Sequence, residues 1–177
     1  MRCRFPITAF AISAGLLLSI PPSLAETPST NKYRVLSSEN VGMNLSTVES
    51  YIQKGDQFFL RGDYGKARKE FDKARNMSKQ LLGFYRDLSS SFKGLDARIP
   101  REMDSNGRNA LASLAKANLR LASLFRKKNQ PEVAVPLLIE VVRILTPAKP
   151  DGQKAYQELV ELGFANTPYG GARKNIY

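Results

Sequence analysis

Between residues 51 and 74, large and small apolar residues alternate along two helical stripes, and few folds accept that pattern. The first stripe is Tyr51, Gly55, Phe58 and Phe59, spaced i, i+4, i+7, i+8, which lines one face of a helix. A glycine inside a helix costs about 1 kcal/mol relative to alanine. Gly55 therefore needs a compensating reason, such as the close approach of a neighbouring helix. Gly62 and Asp63 break the helix. Glycine readily takes the positive φ of a helix C-terminus, and aspartate is a good N-cap for the next segment. The second stripe is Tyr64, Ala67, Phe71 and Ala74. Two helices joined by so tight a turn can interlock with their backbones close together.

With Val48 as its first position, this run resembles the tetratricopeptide repeat, a 34-residue helix-turn-helix unit. The family's first aromatic falls on Tyr51, its small residue on Gly55 and its next aromatic on Phe58. Its turn falls on Gly62-Asp63-Tyr64, and Ala67, Phe71 and Ala74 complete the pattern. Lys54 stands where the family prefers leucine, and Lys79 where it prefers proline. A second, fainter copy starts at Ala115, with Ala122, Phe125 and Ala134 in the places of Gly55, Phe58 and Ala67. Asn129-Gln130-Pro131 stands in for the turn, and Leu138 and Val141 replace Phe71 and Ala74. The copies begin 67 residues apart, close to two repeat lengths. A middle unit would find Tyr85, Ser89 and Phe92 at its first-helix positions, but Pro100 and Asn106-Gly107 interrupt its second helix. The resemblance implies an all-α fold: TPR-like antiparallel helical hairpins, five to six helices in all, with a C-terminal capping helix. It also implies a protein that holds other proteins, without saying which.

Periodicity sets the expected elements. Helices are expected over 47–60 and 64–82, with a short third helix over 84–92 carrying Phe84, Leu88 and Phe92. A connection over 93–105 holds Gly94 and Pro100, and a long helix comes next over 106–128. Its stripe of Leu111, Leu114, Ala115, Asn118, Leu121, Ala122 and Phe125 has a 3.6-residue period. An apolar helix over 131–145 begins with Pro131, which suits a first turn, while Pro136 predicts a kink or a late start. A turn over 147–152 leads to a last helix over 153–162, ended by Gly163.

The chain opens in the layout of a secretory signal peptide: Arg2 and Arg4, an uncharged apolar run over 7–20, Pro21-Pro22, and Ser23-Leu24-Ala25 as a cleavage site. An apolar run of about 14 residues falls short of the roughly 20 that a spanning helix needs. Residues 1–25 are thus expected to be a signal peptide, 26–45 a flexible leader, 46–165 the helical domain and 166–177 a loose tail. Export to a periplasm, a thylakoid lumen or the outside is the corresponding expectation. Beyond residue 25 the chain has no Cys, His or Trp, so packed helices rather than disulfides must hold it. Loss of Arg2 and Arg4 lowers the formal charge from +11 to +9.

Enzyme chemistry is not expected. Without His the commonest general base near neutral pH is missing, and without His or a retained Cys, zinc and soft-metal sites are nearly excluded. No cofactor or metal is expected. The carboxylate pairs Glu49/Asp56, Glu70/Asp72, Glu102/Asp104 and Glu158/Glu161 read as solvated helix surface. Ser89-Ser90-Ser91 has neither a base nor a strained turn to activate it.

In the resembling family, the first helix of each hairpin lines a ligand groove. Carried over, that groove comprises Glu49, Ile52, Gln53, Asp56 and Phe59 from the first copy. Lys116, Arg120, Ser123, Arg126 and Lys127 come from the second. It would be acidic and apolar at one end and basic at the other, suiting an acidic peptide or an anionic head group. Ile52 and Asp56 stand where the family's chaperone-tail binders need lysine and asparagine, so that activity is not expected. The expected function is an exported protein-binding module, acting as scaffold or assembly factor of a membrane complex. The alternative is a peripheral binder of anionic membrane or cell-wall surfaces. Nucleic acid is disfavoured, because no aromatic-plus-basic strand pattern is present.

Overall fold

The computed structural model describes residues 42–171. The expected signal peptide, nearly all of the leader and the last six residues of the tail lie outside the described residues. Among the described residues the fold is all-α, with five helices in sequence: α1 (Leu45–Leu60), α2 (Tyr64–Ser91), α3 (Arg98–Lys127), α4 (Pro131–Leu145) and α5 (Pro150–Glu161).

Each boundary has a local cause. Asn44 caps α1, its Oδ1 accepting from the Thr47 amide at 2.8 Å. At the other end Gly62 takes φ +78°. Its amide donates to the Phe59 carbonyl, and the next amide, of Asp63, donates to that of Phe58, both at 3.0 Å. This pair of reversed bonds is the Schellman ending. Asp63 then caps α2, accepting from the Lys66 amide. The turn between α3 and α4 repeats this geometry 67 residues later. Asn129 sits at φ +56°, its amide donates to Arg126 and that of Gln130 to Phe125. Asparagine is the residue besides glycine that accepts this backbone most readily. The two turns expected from the sequence thus share one backbone conformation, and α4 begins at Pro131 rather than late.

Two expectations over the middle of the chain are corrected. No break separates a helix over 64–82 from a short one over 84–92: α2 runs through Gly83 as one helix of 28 residues. Leu81 packs in the core, and Leu82 and Tyr85 lie against it, so burial against α3 outweighs the roughly 1 kcal/mol that a helical glycine costs. Nor is there a long connection over 93–105. The chain reverses within residues 92–97, and α3 starts at Arg98. Pro100 falls in the first turn of α3, where amides have no helical acceptor in any case. Gly107 is buried inside α3 against Leu82 and Tyr85 of α2. No separate helix lies between α2 and α3; the residues between the first and second turns lengthen these two helices.

Each helix packs chiefly on the next, α2 against α3 most extensively, and α1 also touches α3. One core cluster joins Phe71 of α2, Leu121, Leu124 and Phe125 of α3, Leu138 and Val141 of α4 and Leu159 of α5. A second joins Val48 and Ile52 of α1, Ala74 and Leu81 of α2, and Ala110 and Ala117 of α3. The small residues have the role their spacing implies. Ala67, Ala74, Ala122 and Ala134 are fully buried. A β-carbon on Gly55 would lie 2.4 Å from the Phe71 ring, so α1 and α2 are as close as a helical glycine permits. Tyr51, Phe58 and Tyr64 pack at the edges of these clusters.

Because α2 and α3 are much longer than their partners, they project as an arm. Leu45, the first residue of α1, packs beside the cluster that holds Leu81. Glu140 of α4 bonds to Asn118 of α3, and α4 ends five residues later, about 7.5 Å further along its axis. Beyond those points the arm is built, among the described residues, from the C-terminal part of α2 and the N-terminal part of α3. At the tip, Leu95 is 79% exposed.

At the other end of the chain, α5 starts three residues earlier than expected, at Pro150, and holds Gly152 in its first turn. The segment after α5 is not loose throughout. Tyr156 of α5 donates its hydroxyl proton to the Thr167 carbonyl at 2.8 Å, and the Tyr169 ring meets that of Tyr156 edge-on. No helix among the described residues is long and apolar enough to cross a membrane.

Candidate protein-binding face on α1 and α3

The ten residues expected to line a groove come from α1 and α3, and these two helices lie side by side. Lys116 of α3 donates to Glu49 Oε1 of α1 at 2.7 Å. Arg120 Nε lies 2.8 Å from Asp56 Oδ1. That contact is out of line for a hydrogen bond and leaves the Arg120 Nε proton without an acceptor. Arg126 pairs with Glu158 at 3.0 Å and Glu161 at 3.2 Å, both on α5.

These pairs correct the expected charge pattern. The acidic residues of α1 do not form one end of a groove with the basic residues of α3 at the other; they neutralise one another across the helix pair. Their side chains remain about 40% exposed, so each pair contributes at most about 1 kcal/mol. A charged partner can therefore exchange with them at small cost. Ile52 is a second correction. It is fully buried among Val48, Ala74 and Ala117 and does not line the surface, because it follows Val48 by one helical turn and turns with it towards α2. Glu158 is a third. It is 7% exposed rather than solvated, held by Arg126, whose charge is favoured: burial opposes it, but bonds to Glu158 and Glu161 outweigh burial.

What remains open is a depression between the C-terminal halves of α1 and α3. One recess of about 340 Å³ is lined by Asp56, Phe59, Leu60, Phe71, Arg120 and Ser123. It shares Phe59 and Ser123 with a neighbouring recess of about 450 Å³, which adds Arg126 and Lys127. Phe59 is held from behind by the tilted ring of Tyr64, centroids 5.5 Å apart. Leu60, at the rim, is 84% exposed. Lys127 carries no ion pair among the described residues. The depression thus offers an aromatic floor, an exposed leucine, a small hydroxyl at Ser123 and one free cation. Gln53 is exposed on α1 but lines neither recess. Of the expected set, Asp56, Phe59, Arg120, Ser123, Arg126 and Lys127 are brought together; Glu49 and Lys116 form a closed pair towards the other end.

A second polar cluster escapes the sequence pattern. Asn118 of α3 is fully buried. Its Oδ1 accepts from Arg75 Nε of α2 at 2.8 Å, and its Nδ2 donates to Glu140 Oε2 of α4 at 3.1 Å. Arg75 also donates to Glu140 at 2.8 Å, and Lys79 lies 3.1 Å from its other oxygen. Three helices are therefore tied through one carboxylate. The sequence does carry a signal for it: asparagine on an otherwise apolar stripe needs partners when buried, and Lys79 replaces the proline that the repeat prefers.

Burial would raise the Glu140 pKa, but bonds and charges from Arg75 and Lys79 hold it below the ordinary carboxylate value. A carboxylate depressed in the folded state stabilises above its unfolded pKa, and that contribution disappears as pH falls through the folded one. The urea midpoint should therefore fall between pH 7 and pH 3, and Glu140→Gln should show a smaller fall. An equal pH dependence in both proteins would contradict this role.

No family model, no curated protein and no solved structure matches the chain. The functional reading therefore rests on its own residues and geometry.

Proposed function

We propose that the chain is an exported protein-binding module of the tetratricopeptide kind, acting as scaffold or assembly factor for a membrane complex. In this reading α1–α2 and α3–α4 are two stacked hairpins and α5 caps the second. The observation that carries it is the α1/α3 depression, with Phe59 as floor and Lys127 as free cation. It lies on the first helices of both hairpins, where the repeat family receives its ligands. Stacking also accounts for the Glu49–Lys116 pair, since the two residues occupy equivalent positions of the two copies and such positions become neighbours. Export is supported by the basic, apolar and small-residue succession over residues 1–25. A short peptide or loop with an apolar side chain beside a carboxylate fits the depression: the apolar group meets Phe59 and Leu60, and the carboxylate meets Lys127.

The test is capture from the membrane and soluble fractions of the cells that make the protein. Ser123→Tyr fills the depression, and Lys127→Glu reverses its free charge. A specific partner should be retained by the natural chain and reduced about tenfold by either substitution. Capture unchanged in both variants would refute this face. Capture that disappears at moderate salt and returns with any anionic vesicle would favour the surface-binding alternative.

A further inference from the structure

A recess of about 580 Å³ lies on the α2–α3 arm rather than on the α1/α3 face. It is the continuation of the groove in which α4 sits. On α2 the residues facing α4 are Arg75 and Lys79. The same face runs on through Leu82, Arg86, Ser90 and Lys93 at i+7, i+11, i+15 and i+18 from Arg75. On α3 the residue facing α4 is Asn118, and its face runs back through Leu111, Gly107, Asp104 and Pro100. All of these arm residues line the recess. α4 stops before reaching it, so among the described residues two helices that hold a third along one half of their length have no helix seated along the other.

The chemistry continues with the geometry. Where α4 lies, apolar Leu138 and Val141 are buried and Glu140 answers the cations of α2. On the arm, Leu82, Met103 and Leu111 supply apolar walls, Gly107 leaves the floor low, and Arg86, Lys93 and Arg108 supply the charge. These three cations carry no ion pair among the described residues. Asp104, the one carboxylate in the lining, is engaged by the Ser89 hydroxyl at 2.8 Å. An occupant must therefore bring its own carboxylates.

We infer that the arm is a docking groove for an acidic amphipathic helix of a partner protein, laid in line with α4 and repeating its pattern of apolar residues beside glutamate. This surface is separate from the α1/α3 depression and stands without it. A helix rather than an extended strand is indicated because the groove is the prolongation of one that a helix already fills. Protein is favoured over lipid because the three cations border an apolar strip of Leu82, Met103 and Leu111 that prolongs the groove α4 already fills.

The test uses a labelled synthetic helical peptide of leucine, alanine and glutamate, with glutamate on one edge of its apolar face, and its lysine counterpart. The glutamate peptide should bind the full-length protein and the lysine peptide should not. Arg86→Glu with Arg108→Glu should weaken the glutamate peptide at least about tenfold and let the lysine peptide bind, a switch that mere loss of fold would not produce. Lys127→Glu, on the other face, should leave binding unchanged and so separates this site from the α1/α3 depression. The inference is overturned if the glutamate peptide fails to bind or binds the reversed variant equally well. It is also overturned if flotation with phosphatidylglycerol vesicles, but not peptide binding, is abolished by the reversal. A dimer in solution that the reversal dissociates would assign the groove to a second copy, and would overturn it too.

Discussion

Gly152→Ala should destabilise the fold by about 3 kcal/mol and lower its thermal midpoint by about 10 °C. A β-carbon at this position would lie 1.9 Å from the Thr146 carbonyl oxygen and 2.7 Å from its carbon. Both atoms belong to the backbone of the turn between α4 and α5, so no side-chain rotation relieves the contact. Thr146 itself already holds a positive φ of 57°, and its carbonyl accepts from the Lys149 amide. The turn has no spare freedom with which to move aside. The substitution must push α5 away from α4, opening the contacts that Ala155 and Leu159 make with the core. A thermal melt followed by circular dichroism checks this, and a midpoint within about 2 °C of the natural chain (less than about 1 kcal/mol for a domain this size) would contradict it.

Gly55→Ala should cost about 2 kcal/mol net. The added carbon would meet Phe71 Cε1 at 2.4 Å and Cδ1 at 2.5 Å, and the Phe71 ring is fully buried. Overpacking of this kind costs about 1–3 kcal/mol, and the close packing of an interior leaves the ring little room to shift. The helix-propensity gain of alanine over glycine, about 1 kcal/mol, offsets only part of it at so short a distance. Gly83→Ala is the internal control. Gly83 is also inside a helix, but nothing lies within 4 Å of the place its β-carbon would take, so there the propensity gain should emerge as stabilisation. Phe71→Leu introduced together with Gly55→Ala should cost less than the sum of the two alone, because the smaller side chain relieves the contact. Urea titrations of the single and double variants measure this coupling. Additive losses would mean that Gly55 and Phe71 do not constrain each other.

Much of the fold is legible in the sequence because its determinants are local. Gly62-Asp63 and Asn129-Gln130-Pro131 lie within a few residues of the turns they make, and the alternation of Gly55, Phe58, Ala67 and Phe71 encodes how closely two helices approach. The middle is illegible for the opposite reason. Gly83 and Pro100 look like breakers when only propensity is weighed. Their fate depends on residues that meet in space: Gly107 against Leu82 and Tyr85, and Pro100 in a helix start that no periodicity marks.

The candidate face is legible in membership but not in electrostatics. Asp56, Phe59, Ser123 and Lys127 do converge. The charges that read as opposite ends of a groove pair with each other instead: Lys116 of α3 donates to Glu49 of α1, and Arg120 of α3 lies beside Asp56 of α1. The Asn118–Glu140–Arg75 cluster needs contacts across 43 and 65 positions, beyond the reach of any local pattern.

If the depression between α1 and α3 receives a protein, site-specific photo-crosslinking in the cells that make the chain tests it most directly. The reactive group is placed at Ser123 and, as control, at Glu132 on the exposed first turn of α4. Position 123 should give a discrete protein adduct that Lys127→Glu abolishes, and position 132 should give none. No adduct at position 123, or the same adducts from both positions, would contradict a protein-binding role for this face.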